Sequence, residues 1–213
     1  MPLPATLDTP LPSDVATGNR VIKTHVEARH FPVDSDARMV VVIRHPLDAF
    51  VSGYIFFHSV LNGFVPHRFT VDEWLDLSMT SKFFFGSWAA HTASWWGERE
   101  RENVLIVTFA EMKRDLGGVV DKVTAHMGVT LNDMQREVVV ERSGFGWMKA
   151  NTHRFDPPIR PLEETDMVMI REGKVGQNEA FLTQAQRERL LAHFRREFEA
   201  LDSDFPMKEL FGV

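Results

Sequence analysis

Met39-Val40-Val41-Val42-Ile43-Arg44-His45-Pro46-Leu47-Asp48-Ala49-Phe50-Val51-Ser52 runs from an apolar strand pattern straight into a helix. Met39 to Ile43 is apolar without alternation, the pattern of a strand covered on both faces of a parallel sheet. Pro46 suits the first helical turn, where its missing N–H costs nothing. Ligands of open α/β sheets bind at the carboxyl ends of strands, and the free N–H groups of a helix start favour anions. Arg44 stands at that strand end, and Ser52 lies less than two turns into the helix. The pair is therefore a candidate phosphate site, with a charged fork from the guanidinium and a single hydrogen bond from the hydroxyl. A surface arginine and a serine bonded to its own backbone fit this stretch equally well.

Working outward, 213 residues with 44% hydrophobic content suffice for one sizeable core and exclude disorder throughout. A net charge of -6 leaves no broad basic surface for nucleic acid, although a small basic pocket fits inside an acidic whole. The chain has no cysteine, which removes disulfides, thiolate nucleophiles and cysteine metal sites, and agrees with a cytoplasmic location. No apolar run approaches the roughly 20 residues of a membrane span, and Met1 to Gly18 lacks the pattern of a signal peptide. Neither a nucleic acid nor a membrane partner is expected.

Residues 1–19, rich in Pro, Thr, Ser and Asp, are expected to be an irregular lead-in. Arg20 to His25 is a short strand candidate that places Lys23 and His25 on one face. The helix from Pro46 is expected to reach His58 and to break around Asn62-Gly63. Thr70-Val71-Asp72-Glu73 has capping-box spacing, and a further helix carries His91, Trp95 and Trp96 toward Arg99. Val104 to Phe109 is the second buried strand, followed by a helix through Val119, Val123 and Met127 that ends at Gly128. Strand, helix, strand, helix favours a parallel α/β sheet. Leu131 to Glu141 is helical, and Gly144 to Lys149 is a loop or short helical turn. Asn151 to Asp166 is expected to form a long loop over the site, and Thr183 to Leu201 an amphipathic helix with Leu190, Leu191, Phe194 and Phe198 on its apolar face.

Lys23-Thr24-His25, Arg44 with Ser52, Phe109-Ala110-Glu111-Met112, Ser143 to Asn151 and Arg171-Glu172-Gly173 follow one another in an order that resembles the cytosolic-type sulfotransferase family. The resemblance covers residues 20–213 and implies an α/β fold with a three-layer parallel sheet and flanking helices, the P-loop NTPase-like sulfotransferase fold. It implies transfer of a sulfuryl group from 3′-phosphoadenosine 5′-phosphosulfate to an acceptor hydroxyl or amine, without a metal. His25 matches the family's general base and Lys23 the cation beside the transferring group. Arg44 and Ser52 match the pair that grips the 3′-phosphate. Arg171 and Gly173 match the late 3′-phosphate loop, and Ser143, Phe145 and Met148 the segment around the adenosine.

Several positions depart from that pattern. Phe109 stands where the family usually has Tyr, and Glu172 where it usually has Lys, so a carboxylate lies beside the expected phosphate. Gly176-Gln177-Asn178-Glu179 replaces the usual Gly-Asp-Trp-Lys, so the 176–188 segment does not support the family homodimer. The family's opening loop, commonly Pro-Lys-Ser-Gly-Thr-Thr-Trp, has no counterpart: Met1 to Asn19 holds one glycine, Gly18, and no lysine. The sequence is therefore expected to be N-terminally truncated, and catalysis by this chain alone to be weak. A start codon placed too far downstream, a natural fragment that needs a partner, and a non-catalytic binder of adenosine 3′,5′-bisphosphate all remain open. The first is favoured because His25 has no use in a mere binder. Phe56, Phe57, Phe83, Phe84 and Trp88 are either core or an apolar pocket for a small phenol or hydrophobic alcohol.

Overall fold

The computed structural model describes residues 21–60, 68–80, 83, 86–155 and 170–213. Its centre is a parallel pair, β1 (Met39–Ile43) and β2 (Val104–Thr108), in register from Met39 beside Val104 to Ile43 beside Thr108. Each strand runs directly into a helix. β1 leads through Arg44 and His45 into α1 (Pro46–Val60), whose start is closed by Leu47 N donating to His45 Nδ1 at 3.3 Å. Pro46 is thus the first helical residue, as its missing N–H favours.

Beyond α1 come α2 (Val71–Ser78) and α3 (Trp88–Gly97). The expected capping box forms at α2: Thr70 Oγ1 accepts from Glu73 N at 3.2 Å, and Glu73 Oε2 accepts from Thr70 N at 2.8 Å. After β2 the chain does not make one continuous helix. It makes α4 (Phe109–Arg114) and α5 (Leu116–Met127), because Asp115 leaves helical geometry and its carboxylate caps Gly118 N at 2.9 Å. Gly128, at φ 68°, then stops α5 in the left-handed conformation that glycine tolerates best. α6 (Asp133–Ser143) and α7 (Phe145–Ala150) follow, so the Gly144 to Lys149 stretch is a short helix. α8 (Asn178–Phe181), α9 (Gln184–Ala200) and α10 (Met207–Phe211) close the chain, and full capping boxes also form at Asn132 with Gln135 and at Thr183 with Gln186.

α9 packs against α1, α2 and α3, and α4 and α5 pack against β2. Leu190, Phe194 and Phe198 of α9 meet Leu47, Val51, Trp74 and Ala89 in the main core, while Leu191 sits partly buried at its edge. The parallel α/β class is as expected, but two finer expectations fail. Met39, Val41 and Ile43 face the core, whereas Val40 and Val42 are 39% and 49% exposed. The described residues therefore cover one face of β1, and an unbroken apolar run does not by itself show that both faces are buried. Residues 21–27 form no strand either. Their pattern suits a strand, yet no neighbouring strand pairs with them among the described residues, and local propensity without pairing does not make a sheet. The expected lead-in, most of the loop expected over 151–166 and Phe84 lie outside the described residues.

Candidate functional site

Arg44 emerges at the carboxyl end of β1 with its guanidinium over the Phe109 ring, 4.6 Å from the centroid. Nη2 donates to the Lys174 carbonyl at 3.2 Å, and Nε is buried without a hydrogen bond among the described residues. This geometry is not that of a solvated surface arginine. Burial pulls its pKa down, Asp48 offsets part of the fall, and the neighbouring Arg171 charge adds to it. An arginine stays charged through such a shift, so two cations held together with a buried donor left over favour an anion.

The turn that brings Arg171 there is pinned to α1. Asp48, 1% exposed, accepts hydrogen bonds from Gly176 N at 2.7 Å, Asn178 N at 3.0 Å and Asn178 Nδ2 at 2.8 Å. Burial alone would raise the Asp48 carboxyl. The Asn178 side chain, the two backbone N–H groups and Arg44 outweigh it and hold the carboxyl below its ordinary value. From the other side Lys149 Nζ donates to the Arg171 carbonyl at 3.3 Å. Gly173 adopts φ 58°, and a Cβ there would clash with the Phe145 ring, so the turn needs a glycine both for its backbone and for the ring against it.

Arg44, Ser52 and Arg171 open onto one cleft of about 480 Å³, a volume suited to a small molecule. Lys23 and His25 line the same cleft, beside Phe56, Phe83 and Trp88. Phe57 does not: it is buried against Phe69 and Trp74 and belongs to the core. Ser143, Phe145 and Met148 lie outside the cleft lining, on α6 and α7, where Phe145 reaches the site through Gly173. Lys113 and Lys149 place their ammonium groups 5.5 and 5.7 Å from the Phe145 ring centre.

His25 sits on the irregular segment that precedes a short turn at Ala28–His30. Two bonds to α3 hold that segment: Trp95 Nε1 donates to the Val26 carbonyl at 3.1 Å, and Ser94 Oγ accepts from Ala28 N at 3.1 Å. Burial and the Lys23 charge lower the His25 pKa, and burial and His25 lower that of His91 against the opposing pull of Glu27. Both imidazoles are thereby biased toward the neutral form that accepts a proton. Sequence reasoning did not single out His91 or Asp48 for the site. An acidic residue in the first turn of the helix after Arg44 was the available signal for Asp48, and His91 shares the cleft face of α3 with Trp88. Among the described residues no three His, Asp or Glu side chains stand together as a metal site.

A parallel strand running into a helix, with Arg44 and Arg171 at the strand's carboxyl end, places an anion-favouring cleft on an α/β scaffold. The sulfotransferase domain family matches residues 8–202, and the chain belongs to that family. It is 30% identical over 198 residues to sulfotransferase 2A1 of Macaca fascicularis, covering 91% of this chain and 67% of the relative. It is 28% identical to human sulfotransferase 1C2, covering 89% and 65%, and 29% identical to 3-alpha-hydroxysteroid sulfotransferase of Cavia porcellus, covering 79% and 60%. The chain thus spans about two thirds or less of the length of these relatives. Among solved structures it is similar to mouse sulfotransferase SULT7A1 complexed with PAP, at 26% identity and a TM-score of 0.72, over 88% of this chain and 68% of that one. Retinol dehydratase, at 18% identity and a TM-score of 0.65, shares the fold over 79% of this chain and 48% of its own.

Proposed function

We propose that this chain is the catalytic part of a sulfotransferase that moves a sulfuryl group from 3′-phosphoadenosine 5′-phosphosulfate to the hydroxyl of a small apolar acceptor. The observation that carries the reading is the single cleft shared by the Arg44–Arg171 cation pair, Ser52, Lys23 and His25. Arg44 and Arg171 hold the 3′-phosphate by charge-assisted hydrogen bonds, and Ser52 adds a neutral one. His25, biased toward the neutral form, takes the proton of the acceptor hydroxyl as its oxygen attacks sulfur. The new O–S bond forms as the bond from sulfur to the 5′-phosphate oxygen breaks, and adenosine 3′,5′-bisphosphate leaves. Lys23 offsets the negative charge that develops on that bridging oxygen. Phe56, Phe83 and Trp88 supply an apolar wall for a phenol or a hydrophobic alcohol. The chemistry asked of these residues is proton transfer and charge neutralisation alone, and the chain's own site supports both.

Calorimetric titration with adenosine 3′,5′-bisphosphate tests the anion end, and a transfer assay with phenol and steroid alcohol acceptors tests the other. Arg44→Ala is expected to weaken binding on the order of a hundredfold, as truncating one partner of a desolvated charge pair costs about 2–5 kcal/mol. His25→Ala is expected to keep binding and lose transfer. Binding without transfer, in a chain joined to the family's opening loop, would reduce the function to a nucleotide-binding module. Turnover unaffected by His25→Ala would remove His25 as the base.

A further inference from the structure

A carboxylate stands against the anion end of the cleft, on the residue after Arg171. Glu172 Oε1 stands 2.7 Å from Arg171 Nη1, and Glu172 Oε2 lies 3.5 Å from Lys174 Nζ. The other arm of Arg171, Nη2, donates to Gln177 Oε1. Both terminal nitrogens of Arg171 are therefore engaged within the chain. Arg44 differs, since its Nε is buried with no bond among the described residues. Of the two cations at this end, Arg171 faces a carboxylate, whereas Arg44 donates to a backbone carbonyl and keeps Nε without a bond among the described residues.

We propose that Glu172 is an internal competitor for the anion, occupying Arg171 until a phosphate displaces it, and that it sets how strongly the site prefers a 3′-phosphorylated nucleotide over its 3′-hydroxyl counterpart. This rests on the reading of the cleft as a 3′-phosphate site. The Glu172 side chain is 42% exposed, and its ion pairs run only to Arg171 and Lys174 among the described residues, so it has room to swing into solvent. Exposed pairs of this kind are weak, so the carboxylate competes without blocking. The turn itself has little freedom to follow, because Asp48 holds it at Gly176 and Asn178 and Lys149 holds it at Arg171. The side chain is the part that yields. A bound phosphate then meets either Arg171 with Glu172 displaced or a like charge nearby, and both lower its affinity. A nucleotide with a free 3′-hydroxyl makes no such demand on Arg171.

Calorimetric titration of the full chain with adenosine 3′,5′-bisphosphate and with adenosine 5′-monophosphate separates the possibilities. Glu172→Gln is expected to bind the bisphosphate on the order of tenfold tighter and the monophosphate unchanged, with the gain shrinking at high salt. Glu172→Asp, which keeps the charge, is expected to stay near the parent for both ligands. A gain of the same size for both nucleotides, or none for the bisphosphate while Arg44→Ala still weakens its binding on the order of a hundredfold, overturns the competitor and leaves the phosphate site standing. Folded protein that binds neither nucleotide in any variant overturns the phosphate site and the competitor together.

Discussion

The two ends of the cleft are built in opposite ways. At the anion end every side chain springs from, or is fastened to, the junction of β1 and α1: Arg44 packs on Phe109, and Asp48 locks the 176–178 turn with three hydrogen bonds. At the other end Lys23 and His25 stand on a segment without regular structure, tied to α3 through Val26 and Ala28. Rigid elements suit the gripping of a fixed anion, while a segment without regular structure suits adjustment to acceptors of different shape, as the proposed function asks of this end. The contrast assigns affinity to one end and adaptability to the other.

Asp48→Asn should disturb the molecule most. It puts an amide nitrogen before N–H donors that now bond a carboxylate, so it should cost about 2–4 kcal/mol of stability and weaken adenosine 3′,5′-bisphosphate binding as well. Because the folded-state pKa of Asp48 is depressed, its contribution is fully present above its unfolded value near pH 4 and fades as pH falls through the folded value. Denaturant unfolding should therefore show a parent–variant gap that is wide at pH 7 and narrows in acid. A gap independent of pH would mean that the carboxylate is not the anchor.

Ser94→Ala should act at the other end alone. It leaves the Ala28 N–H without its acceptor, so it should cost about 1 kcal/mol and speed amide exchange around Ala28 while nucleotide affinity stays at the parent level. A parallel loss of nucleotide affinity would erase the division between the two ends. Lys23→Met should have the smallest effect. Removing the nearby cation takes away one of the two influences that lower His25, so the imidazole titration followed by NMR should move upward toward its ordinary value. An unmoved titration would show that burial alone holds His25 down.

Elements whose stabilising partners lie close along the chain are legible in the amino-acid sequence. Thr70 with Glu73 and Thr183 with Gln186 close their caps across three residues, and Gly128 stops α5 by its own backbone freedom. Arg44 is legible because its place depends only on a strand end meeting a helix start. Of the strand expected over Arg20 to His25, the described residues 21–25 form none, because a strand needs another to pair with and none does so among the described residues. Phe56 and Phe57 show the same limit within two adjacent residues: identical side chains a helical step of roughly 100° apart, one lining the cleft and one in the core. The role of Asp48 is hidden in the sequence because its partners lie 128 and 130 positions away.

From sequence alone came the parallel α/β class, the candidate phosphate residues and the order of motifs that resembles a sulfotransferase, since each rests on local pattern and chemical type. Tertiary structure alone decided that Arg44 and Arg171 stand together, that Asp48 holds the turn between them, that Glu172 already occupies one of the two cations, and that His25 shares its cleft with His91. Apart from Arg171 and Glu172, which are neighbours in sequence, those are relations between side chains far apart along the chain. Their energies depend on distance and burial, which come into being only when the core closes.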